Sequence, residues 1–435
     1  MNEDLIELIW YSVPIVIIFG FYLIRNHIRH ETSVKEFTQA VSAGLTEPAS
    51  LHPKIDASKC VGSGACVSVC PEGNVIGMIN GKAHLINPTK CIGHGVCKTA
   101  CPLDAIALVF GTEKRGVEIP DINPDFQTNV NGIYIAGELG GMGLIRNAVE
   151  QGKQAINEIA KSITEYDPSL FDVIIIGAGP AGIAASLTAK ERNLNYKTIE
   201  QDSLGGTVAH FPKGKIVMTA PAILPLVGEM PFTETTKEVL VNYFETIEKE
   251  NDLIIDYQTR MEDILEEENG FVVKTNTQDY KTKKILLTIG RRGTPRKLGV
   301  KGEDKPKVVY RLIDPVQYRD QHVLVVGGGD SALEAALSIA DENNTVVSLS
   351  YRSESFGRAK QKNRENIEKA QKEKRINVYF SSLINEIKDE FVEITQQDKH
   401  FKIKNDAIIV CAGGLPPTPM LKKMGITVET KHGEE

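Results

Sequence analysis

The sequence predicts an α/β chain of two Rossmann-like dinucleotide-binding domains, joined to a small α+β domain and preceded by one N-terminal transmembrane helix. Three observations carry this. Two apolar, strand-like runs each pass into a glycine fingerprint and a helical pattern, in residues 171–200 and 321–352. Six of the seven cysteines fall between Cys60 and Cys101, in two copies of one pattern. A run without charge, "LIWYSVPIVIIFGFYLI", extends from Leu8 to Ile24. At 435 residues the chain exceeds a single ordinary domain. The net charge of −7 argues against nucleic acid as a partner, and 41% hydrophobic residues with 37 glycines fit α/β material.

The apolar run approaches the length that crosses about 30 Å of hydrocarbon, with Trp10, Tyr11 and Tyr22 near its ends as interfacial aromatics. The acidic start "MNED" and the lack of a small-residue cleavage site argue against a removed signal peptide. Arg25, Arg29 and Lys35 follow the run, while Glu3, Asp4 and Glu7 precede it. The positive-inside bias therefore predicts a single-pass inner-membrane protein, N-terminus outside and catalytic part in the cytoplasm. A helix buried in the globular part is the bland alternative. Residues 31–52, polar and broken by Gly44 and Pro48, read as a short helix plus linker.

"KCVGSGACVSVCP" and "KCIGHGVCKTACP" repeat one another, so that Cys60, Cys66 and Cys70 recur 31 residues later as Cys91, Cys97 and Cys101. In a reducing cytoplasm such spacing suggests metal rather than disulfides. Zinc, or a fold that has lost its metal, stays open. The pattern resembles the bacterial-type two-cluster ferredoxins, whose run is C-x2-C-x2-C-x3-C-P with the fourth cysteine serving the other cluster. The resemblance covers about residues 53–111 and implies an α+β ferredoxin-like domain. Its cross-over ligation implies one cluster on Cys60, Cys66 and Cys101, and another on Cys91, Cys97 and Cys70. Where the family has its second cysteine, this chain has Ser63 in one copy and His94 in the other. Three thiolates suit a three-iron cluster, or a four-iron cluster whose last iron takes another ligand. His94 is the stronger candidate and Ser63 the weaker.

In "FDVIIIGAGPAGIAASLTAKERNLNYKTIEQD" a strand enters Gly177-x-Gly179-x-x-Gly182 and a helix, and the next strand ends at Glu200. The glycines serve a tight turn, backbone approach to a pyrophosphate and helix–strand packing, and the acid suits ribose hydroxyls. Gly205, Gly206 and Thr207 follow as further cofactor-binding candidates. The second unit, "QHVLVVGGGDSALEAALSIADENNTVVSLSYRSESFGRAKQKN", repeats the fingerprint with Gly327, Gly329 and Ala332. Its second strand ends without the acid; Arg352 and Arg358 stand there, suited to the 2′-phosphate of NADPH, with NADH or simple solvation of a helix face as alternatives.

Two such units in series, with "ILLTIGRRGTPRKLGVKGED" ending the first, resemble the two-dinucleotide-binding-domain flavoproteins. The thioredoxin-reductase-like group, which includes the thioredoxin-reductase-type ferredoxin–NADP reductases, is most similar. The resemblance implies FAD on the first unit and NAD(P)H on the second. "DAIIVCAGGLPPTPMLKKMGI", from Asp406, matches that group's return to the FAD domain. Its closing strand, T-x-x-x-G-I-Y-x-A-G-D, and helix under the flavin are matched instead by "TNVNGIYIAGELGGMGLIRNAVEQG", residues 128–152. A circular permutation is therefore expected, with Gly137 and Glu138 in place of the family's Gly-Asp and a helix from about Gly143 pointing its N-terminus at the flavin. A separate small domain is the alternative.

Thioredoxin reductases carry a C-x-x-C before the second fingerprint; here "KVVYRLIDPVQYRDQ" has no cysteine. Cys411 is alone on an apolar strand and reads as a small hydrophobe, and no catalytic residue is singled out. The expected function is a membrane-anchored NAD(P)H-dependent oxidoreductase using FAD and two iron–sulfur clusters, 4Fe–4S or 3Fe–4S. Its acceptor or donor would be a quinone, a ferredoxin-like protein or a membrane redox partner, and a homodimer is allowed. Two alternatives remain: a low-molecular-weight thiol-disulfide reductase of the bacillithiol-reductase type, suggested by "GGTVAHFP", and a redox sensor without turnover. The expected domains are an anchor 1–30, a linker 31–52, the ferredoxin-like domain 53–111, a permuted part of the FAD domain 112–165, the FAD domain 166–304, the NAD(P)H domain 305–411 and a return to the FAD domain 412–435.

Overall fold

The computed structural model describes residues 3–42, 45–48, 51–91, 93–113, 116–141, 143–163, 167–219, 221–291, 293, 295–357 and 359–434, without the side chains of residues 3–9, 11 and 218. It divides into two compact units, Met1–Gly116 with His432–Glu435, and Val117–Lys431.

In the first unit helix α1 runs unbroken over Glu3–Ser42. Ser33 and Ala40, two turns apart on one face, are buried where its C-terminal part meets the domain. Strand β1 (His52–Ile55) pairs antiparallel with β4 (Ile106–Val109). Between them, β2 (Ile76–Ile79) and β3 (Lys82–Leu85) form a hairpin. Asn80 and Gly81 both take positive φ at its tip, 49° and 73°, as the tightest hairpin turns require. Two single-turn helices, α2 (Ala65–Ser68) and α3 (Val96–Thr99), follow the left-handed glycines Gly64 and Gly95 and repeat the cysteine duplication in three dimensions. The small core is made of Cys60, Cys66 and Cys97 with Val75, Ile76, Ala83, Ala105 and Ile106.

The second unit opens with β5 (Val117–Pro120), β6 (Ile133–Ile135) and helix α4 (Ile145–Ser162). Then come β7 (Phe171–Ile176), α5 (Pro180–Glu191) and β8 (Tyr196–Ile199), the first fingerprint's strand–helix–strand. Two small ribbons come next, β9 (Ile216–Met218) with β12 (Glu234–Thr236) and β10 (Ala222–Leu224) with β11 (Gly228–Met230). Helix α6 (Lys237–Glu250) leads to β13 (Ile255–Asp256), β14 (Met261–Glu267), β15 (Gly270–Thr275) and β16 (Tyr280–Leu287). The resulting sheet runs β13-β8-β7-β16-β15-β14, and β6 lies against the far half of β16. Ile133, Tyr134 and Ile135 pair in parallel with Ile285, Leu286 and Leu287, and all six are buried. The strand expected to join the sheet built after Phe171 does so.

The second fingerprint lies in a five-stranded parallel sheet, β17-β24-β18-β19-β20. These are β17 (Val308–Val309), β18 (His322–Val326), β19 (Val346–Ser350), β20 (Ile376–Tyr379) and β24 (Ala407–Val410), with α7 (Asp330–Ala340) and α8 (Gln361–Lys372). An antiparallel meander of β21 (Ser382–Ile387), β22 (Phe391–Gln396) and β23 (Lys399–Lys404) covers it. After α9 (Thr418–Lys423), β25 (Val428–Lys431) pairs antiparallel with β5, with Lys431 opposite Val117.

One expectation needs correction and another is left without support. Residues 31–42, expected as a short separate helix in a linker, are the end of α1. The transmembrane anchor finds no support here, because no helix among the described residues is long and apolar enough to cross a membrane. The charge-free run from Leu8 to Ile24 covers about 25 Å of helix at 1.5 Å per residue, short of the roughly 30 Å of a hydrocarbon core, before Arg25 follows. The apolar side chains earlier in the run lie outside the described residues.

Helix α4 reaches α5 through Gly152. A Cβ there would sit 2.1 Å from the Ala181 carbonyl oxygen, in backbone that cannot move aside. Gly152→Ala is expected to separate the helices and cost about 1–3 kcal/mol as overpacking. A lowered urea midpoint for the transition followed by flavin fluorescence would show it; an unchanged midpoint would mean that the helices are not fixed together.

Candidate cofactor and metal sites

At the end of β7 the chain turns through Gly177, φ +110°, where a Cβ would lie 2.8 Å from the Thr288 carbonyl oxygen. Gly179 caps α5 with only Gly206 near it, and Pro180 supplies the helix's first turn. A Cβ on Gly182 would overlap the Gly177 carbonyl oxygen at 1.8 Å, so only glycine lets α5 start this close to the turn. The first-turn N–H groups are thus left bare for a pyrophosphate. Gly205 donates its N–H to the Ala178 carbonyl at 2.9 Å, and Gly206 lies against Gly179. Thr207 belongs to the same turn, its carbonyl accepting from the His210 N–H.

Glu200 is buried and accepts the N–H groups of Ala178 and Asp202, each at 2.8 Å. Burial pushes its carboxyl up, against the pull of those two donors. Each oxygen keeps a second lone pair, so the residue fits a ribose diol while also holding the glycine turn.

Gly137 and Glu138 come to the same place. Gly137, φ +86°, donates to Gln151 Oε1 at 2.8 Å, and a Cβ on it would meet Ala181 at 3.1 Å. The carboxylate of Glu138 lies beside Gly143 and Gly290. Helix α4 begins at Ile145, with Leu144 as its cap, two residues beyond the expected start. Arg291, which carries no motif in the sequence, is half-buried there. Burial draws its guanidinium down, while Glu138 and Glu118 oppose this, and Arg291 donates to the Glu118 carbonyl at 2.8 Å. Its only signal was its place in a loop after a buried strand.

In the second unit a Cβ on Gly327 would lie 2.3 Å from the Cys411 carbonyl oxygen, Gly329 caps α7 in open space, and Ala332 is fully buried. Gly328 lies directly beneath the ring of Tyr351. Arg352 is next, exposed to solvent just beyond β19, and Arg358 lies outside the described residues. Asp330, equally unmarked in sequence, accepts from the Lys360 N–H at 2.7 Å and from Asn363 Nδ2 at 2.8 Å, tying α8 to the start of α7. Cys411 is half-buried against the domain core and donates its backbone N–H to Val326, as a packing residue would.

The cysteines separate into two cavities. Cys60, Cys66 and Cys101 line the first together with Ser63, and Cys70, Cys91 and Cys97 line the second together with His94. Each triplet takes two cysteines from one repeat and one from the other, as the cross-over pattern requires. Ala83 and Ala105 donate N–H groups to the sulfurs of Cys60 and Cys101, at 3.5 and 3.3 Å. Burial pushes the thiols of Cys66 and Cys97 up, and that of Cys91 up to about 11. A neutral thiol is the price of that burial, and a bound iron would reverse it by taking up the thiolate. Among the described residues no three His, Cys, Asp or Glu side chains converge as a single ion needs. Thiols set around a cavity, with N–H groups aimed at sulfur, fit an inorganic cluster.

Fold and sites together define a flavin-dependent NAD(P)H oxidoreductase carrying an iron–sulfur domain. Residues 174–434, more than half of the chain, match the pyridine nucleotide-disulphide oxidoreductase family, and residues 52–102 match the 4Fe-4S dicluster domain. The chain belongs to the pyridine nucleotide-disulphide oxidoreductases. Its FAD and NAD(P) sites and its iron–sulfur domain rest on those two matches. It is 26% identical over 266 residues to bacilliredoxin reductase Bdr of Bacillus subtilis, covering 60% of this chain and 82% of that one. To ferredoxin–NADP reductases it is 28% identical in Picrophilus torridus, over 60% of this chain and 81% of the relative, and 29% identical in Ignicoccus hospitalis, over 42% and 57%. With the last of these the match spans little more than half of the relative's length. The solved bacillithiol disulfide reductase Bdr of Staphylococcus aureus superposes with a TM-score of 0.53 at 22% identity, over 59% of this chain and 80% of that one, and so shares its fold.

Arg352→Ala is expected to weaken NADPH binding by about 1–3 kcal/mol, the worth of a charge-assisted contact, and to leave NADH nearly unchanged. Titration with both nucleotides checks this. Equal losses would mean that Arg352 does not read the 2′-phosphate.

Proposed function

We propose that the protein moves electrons between NADPH and a one-electron chain: FAD in the first dinucleotide fold, then two iron–sulfur clusters, then an acceptor at a lipid membrane. The division of six cysteines into two three-cysteine cavities, in a chain with both dinucleotide fingerprints, carries this reading. FAD, when bound, supplies hydride acceptance from a nicotinamide and release of electrons singly. The chain's own residues hold and orient. Gly177, Gly179 and Gly182 clear the path for the pyrophosphate, and Glu200 fits the ribose. The short approach of Gly137 to α5 brings Glu138 and the start of α4 beside the same glycine turn. Arg352 suits the 2′-phosphate. Three thiolates per cavity allow a three-iron cluster, or a four-iron cluster completed by His94 in the second cavity and by Ser63 or solvent in the first.

The membrane part of the proposal is supported by exposure. Val13, Ile15, Val16, Ile17, Ile18, Phe19, Phe21, Tyr22, Leu23 and Ile24 are each at least 46% exposed. Five consecutive residues pass more than once round a helix, so this apolar surface is not a stripe for one partner helix but suits a surrounding solvent of lipid. Arg25, Arg29 and Lys35 favour the cytoplasmic side for the chain beyond Ile24.

A second reading, in which electrons go to a low-molecular-weight disulfide, is favoured by the likeness to the solved bacillithiol disulfide reductase beside that to bacilliredoxin reductase. Turnover separates the two. NADPH oxidation with ferricyanide or a viologen should proceed, and the viologen activity should fall at least tenfold in protein freed of iron and acid-labile sulfide. Turnover with bacillithiol disulfide alone, indifferent to cluster removal, would favour the second reading. Stoichiometric zinc without sulfide would end the first.

The order of the chain is itself part of the proposal, as a circular permutation of the thioredoxin-reductase-like arrangement. What supports it is that β6 and α4 precede the domain whose sheet and helix they pack against, while Lys431 faces Val117 across β25 and β5. Joining Lys431 to Val117 through a hairpin turn, with 117–163 moved behind it, should give a chain that folds and binds FAD near stoichiometrically. Loss of flavin in that rearranged protein, with the iron–sulfur spectrum intact, would count against it.

A further inference from the structure

Among the described residues the cysteines of the first unit line two cavities, and α1 does not treat them alike. Beyond its apolar stretch the helix lies along the β2–β3 hairpin through three side chains, in order. His30 Nδ1 accepts the Asn80 N–H at 3.2 Å, at the hairpin tip. Ser33 Oγ accepts the Met78 N–H at 3.1 Å. Glu36 Oε2 accepts from Asn87 Nδ2 at 2.9 Å, at the hairpin base. Gly77 makes the close approach possible, since a Cβ on it would lie 2.6 Å from Ser33 Oγ. The helix and hairpin are therefore clasped in one register.

The hairpin's two ends serve different cavities. At the tip, a Cβ on Gly62 would lie 2.2 Å from the Gly81 carbonyl oxygen, Lys82 Nζ donates to the Cys60 carbonyl, and Ala83 donates to Cys60 sulfur. These bind the tip to the first cavity, that of Cys60, Cys66 and Cys101. At the base, Val75 and Ile76 line the second cavity, that of Cys70, Cys91 and Cys97. At 1.5 Å per residue, the tip contact at His30 lies about 9 Å along the axis beyond Ile24, and the base contact at Glu36 about 18 Å beyond it. The first cavity also has an apolar collar, Val61 at 67% and Leu103 at 51% exposed, with Ser63 exposed between cysteines.

We infer that the first cavity is the one set at the membrane surface, and that its collar is where a lipid-borne acceptor of the quinone class meets the protein. This rests on α1 lying in lipid, as proposed for its exposed apolar stretch. The stoichiometry closes without another reactant. NADPH gives up two electrons and one proton as hydride, and a quinone becomes a quinol by taking those with a second proton from water. The second cavity, at the hairpin end held by Glu36 farther along the helix, is the inner one.

The test uses the full chain with its clusters loaded, mixed with phosphatidylcholine vesicles that carry a few per cent of a gadolinium-chelating headgroup lipid. Flotation reports whether the chain binds lipid at all. Electron paramagnetic resonance power saturation then reports which cluster lies nearer the headgroups. The two signals are assigned by the separate variants Ser63→Cys and His94→Cys, each of which changes the ligand set of one cavity. The first-cavity signal should need several-fold more power to saturate with gadolinium lipid than without, and the second should change little. A lipid-soluble short-chain quinone should perturb the first signal alone. Protein that stays at the bottom of the gradient overturns the lipid reading and this inference with it. Protein that floats but shows equal relaxation, or a faster second signal, or a quinone effect on the second signal, overturns this inference alone. Gly77→Leu, which forces Ser33 away, should float as before yet lose the contrast between signals. Retention of the contrast would remove the clasp from the explanation.

Discussion

The parallel pairing of β6 with β16 is the contact on which the second unit's candidate site depends. Strand β16 already has β7 on one side and the start of the β15–β14 meander on the other, so its far half would be an open edge without β6. An unpaired buried edge would leave backbone N–H and C=O groups without partners in the core. Filling it with residues 133–135 has a geometric consequence. The chain leaves β6 at the level where β7 ends, so the turn at Gly137 and the turn at Gly177 face one another. Gly152 then allows α4 to lie directly on α5. Two glycine-rich turns and two helices are brought together by three residue pairs of one ladder.

In the first unit the corresponding constraint is the metal. A core in which Cys60, Cys66 and Cys97 are buried beside a few small aliphatic residues is modest for a domain of its length. Burial pushes the thiols of Cys66 and Cys97 up, so cluster assembly has to release protons there and gains free energy that a larger apolar core would otherwise supply. The backbone takes part as well. Left-handed glycines ahead of α2 and α3 curl each cysteine loop around its cavity, and N–H groups from Ala83 and Ala105 point at sulfur.

Much of this was legible in the sequence, because its strongest signals are local. A glycine whose Cβ would overlap a carbonyl oxygen, as at Gly182, leaves a one-letter mark at fixed spacing. The doubled cysteine pattern specified which thiols share a cavity once cross-over ligation was adopted. Even the distant pairing of residues 133–135 could be expected, since the strand and its Gly-Glu turn had an evident place to go. Other features carried no such mark. Arg291 beside Glu138, and Asp330 holding α8, arise where segments far apart in sequence meet, and a lone Arg or Asp in a loop is ordinary. Residues 31–52 read as a short helix plus linker because the helix there meets the hairpin through single hydrogen bonds accepted by Ser33 and Glu36, and by His30 just before them, which leave no periodic apolar pattern. The apolar run itself was visible, but hydropathy alone does not fix how deep a helix sits in lipid.

The position of β6 in the chain also sets an order in time. At about 5–20 residues per second, the roughly 150 residues separating β6 from β16 take on the order of 8–30 s to synthesise. The iron–sulfur unit's cysteines have all left the ribosome before that interval begins. Throughout it, the three buried residues of β6 lack the strand they pair with, while α4, with Val149, Ala155, Ile156 and Ile159, has only α5 and the β7–β8 strands to pack on once these are made. A nascent chain of this design therefore carries a full set of cluster cysteines and a sticky, unpaired strand at the same moment, and its yield in the cell depends on what shields that strand while translation continues.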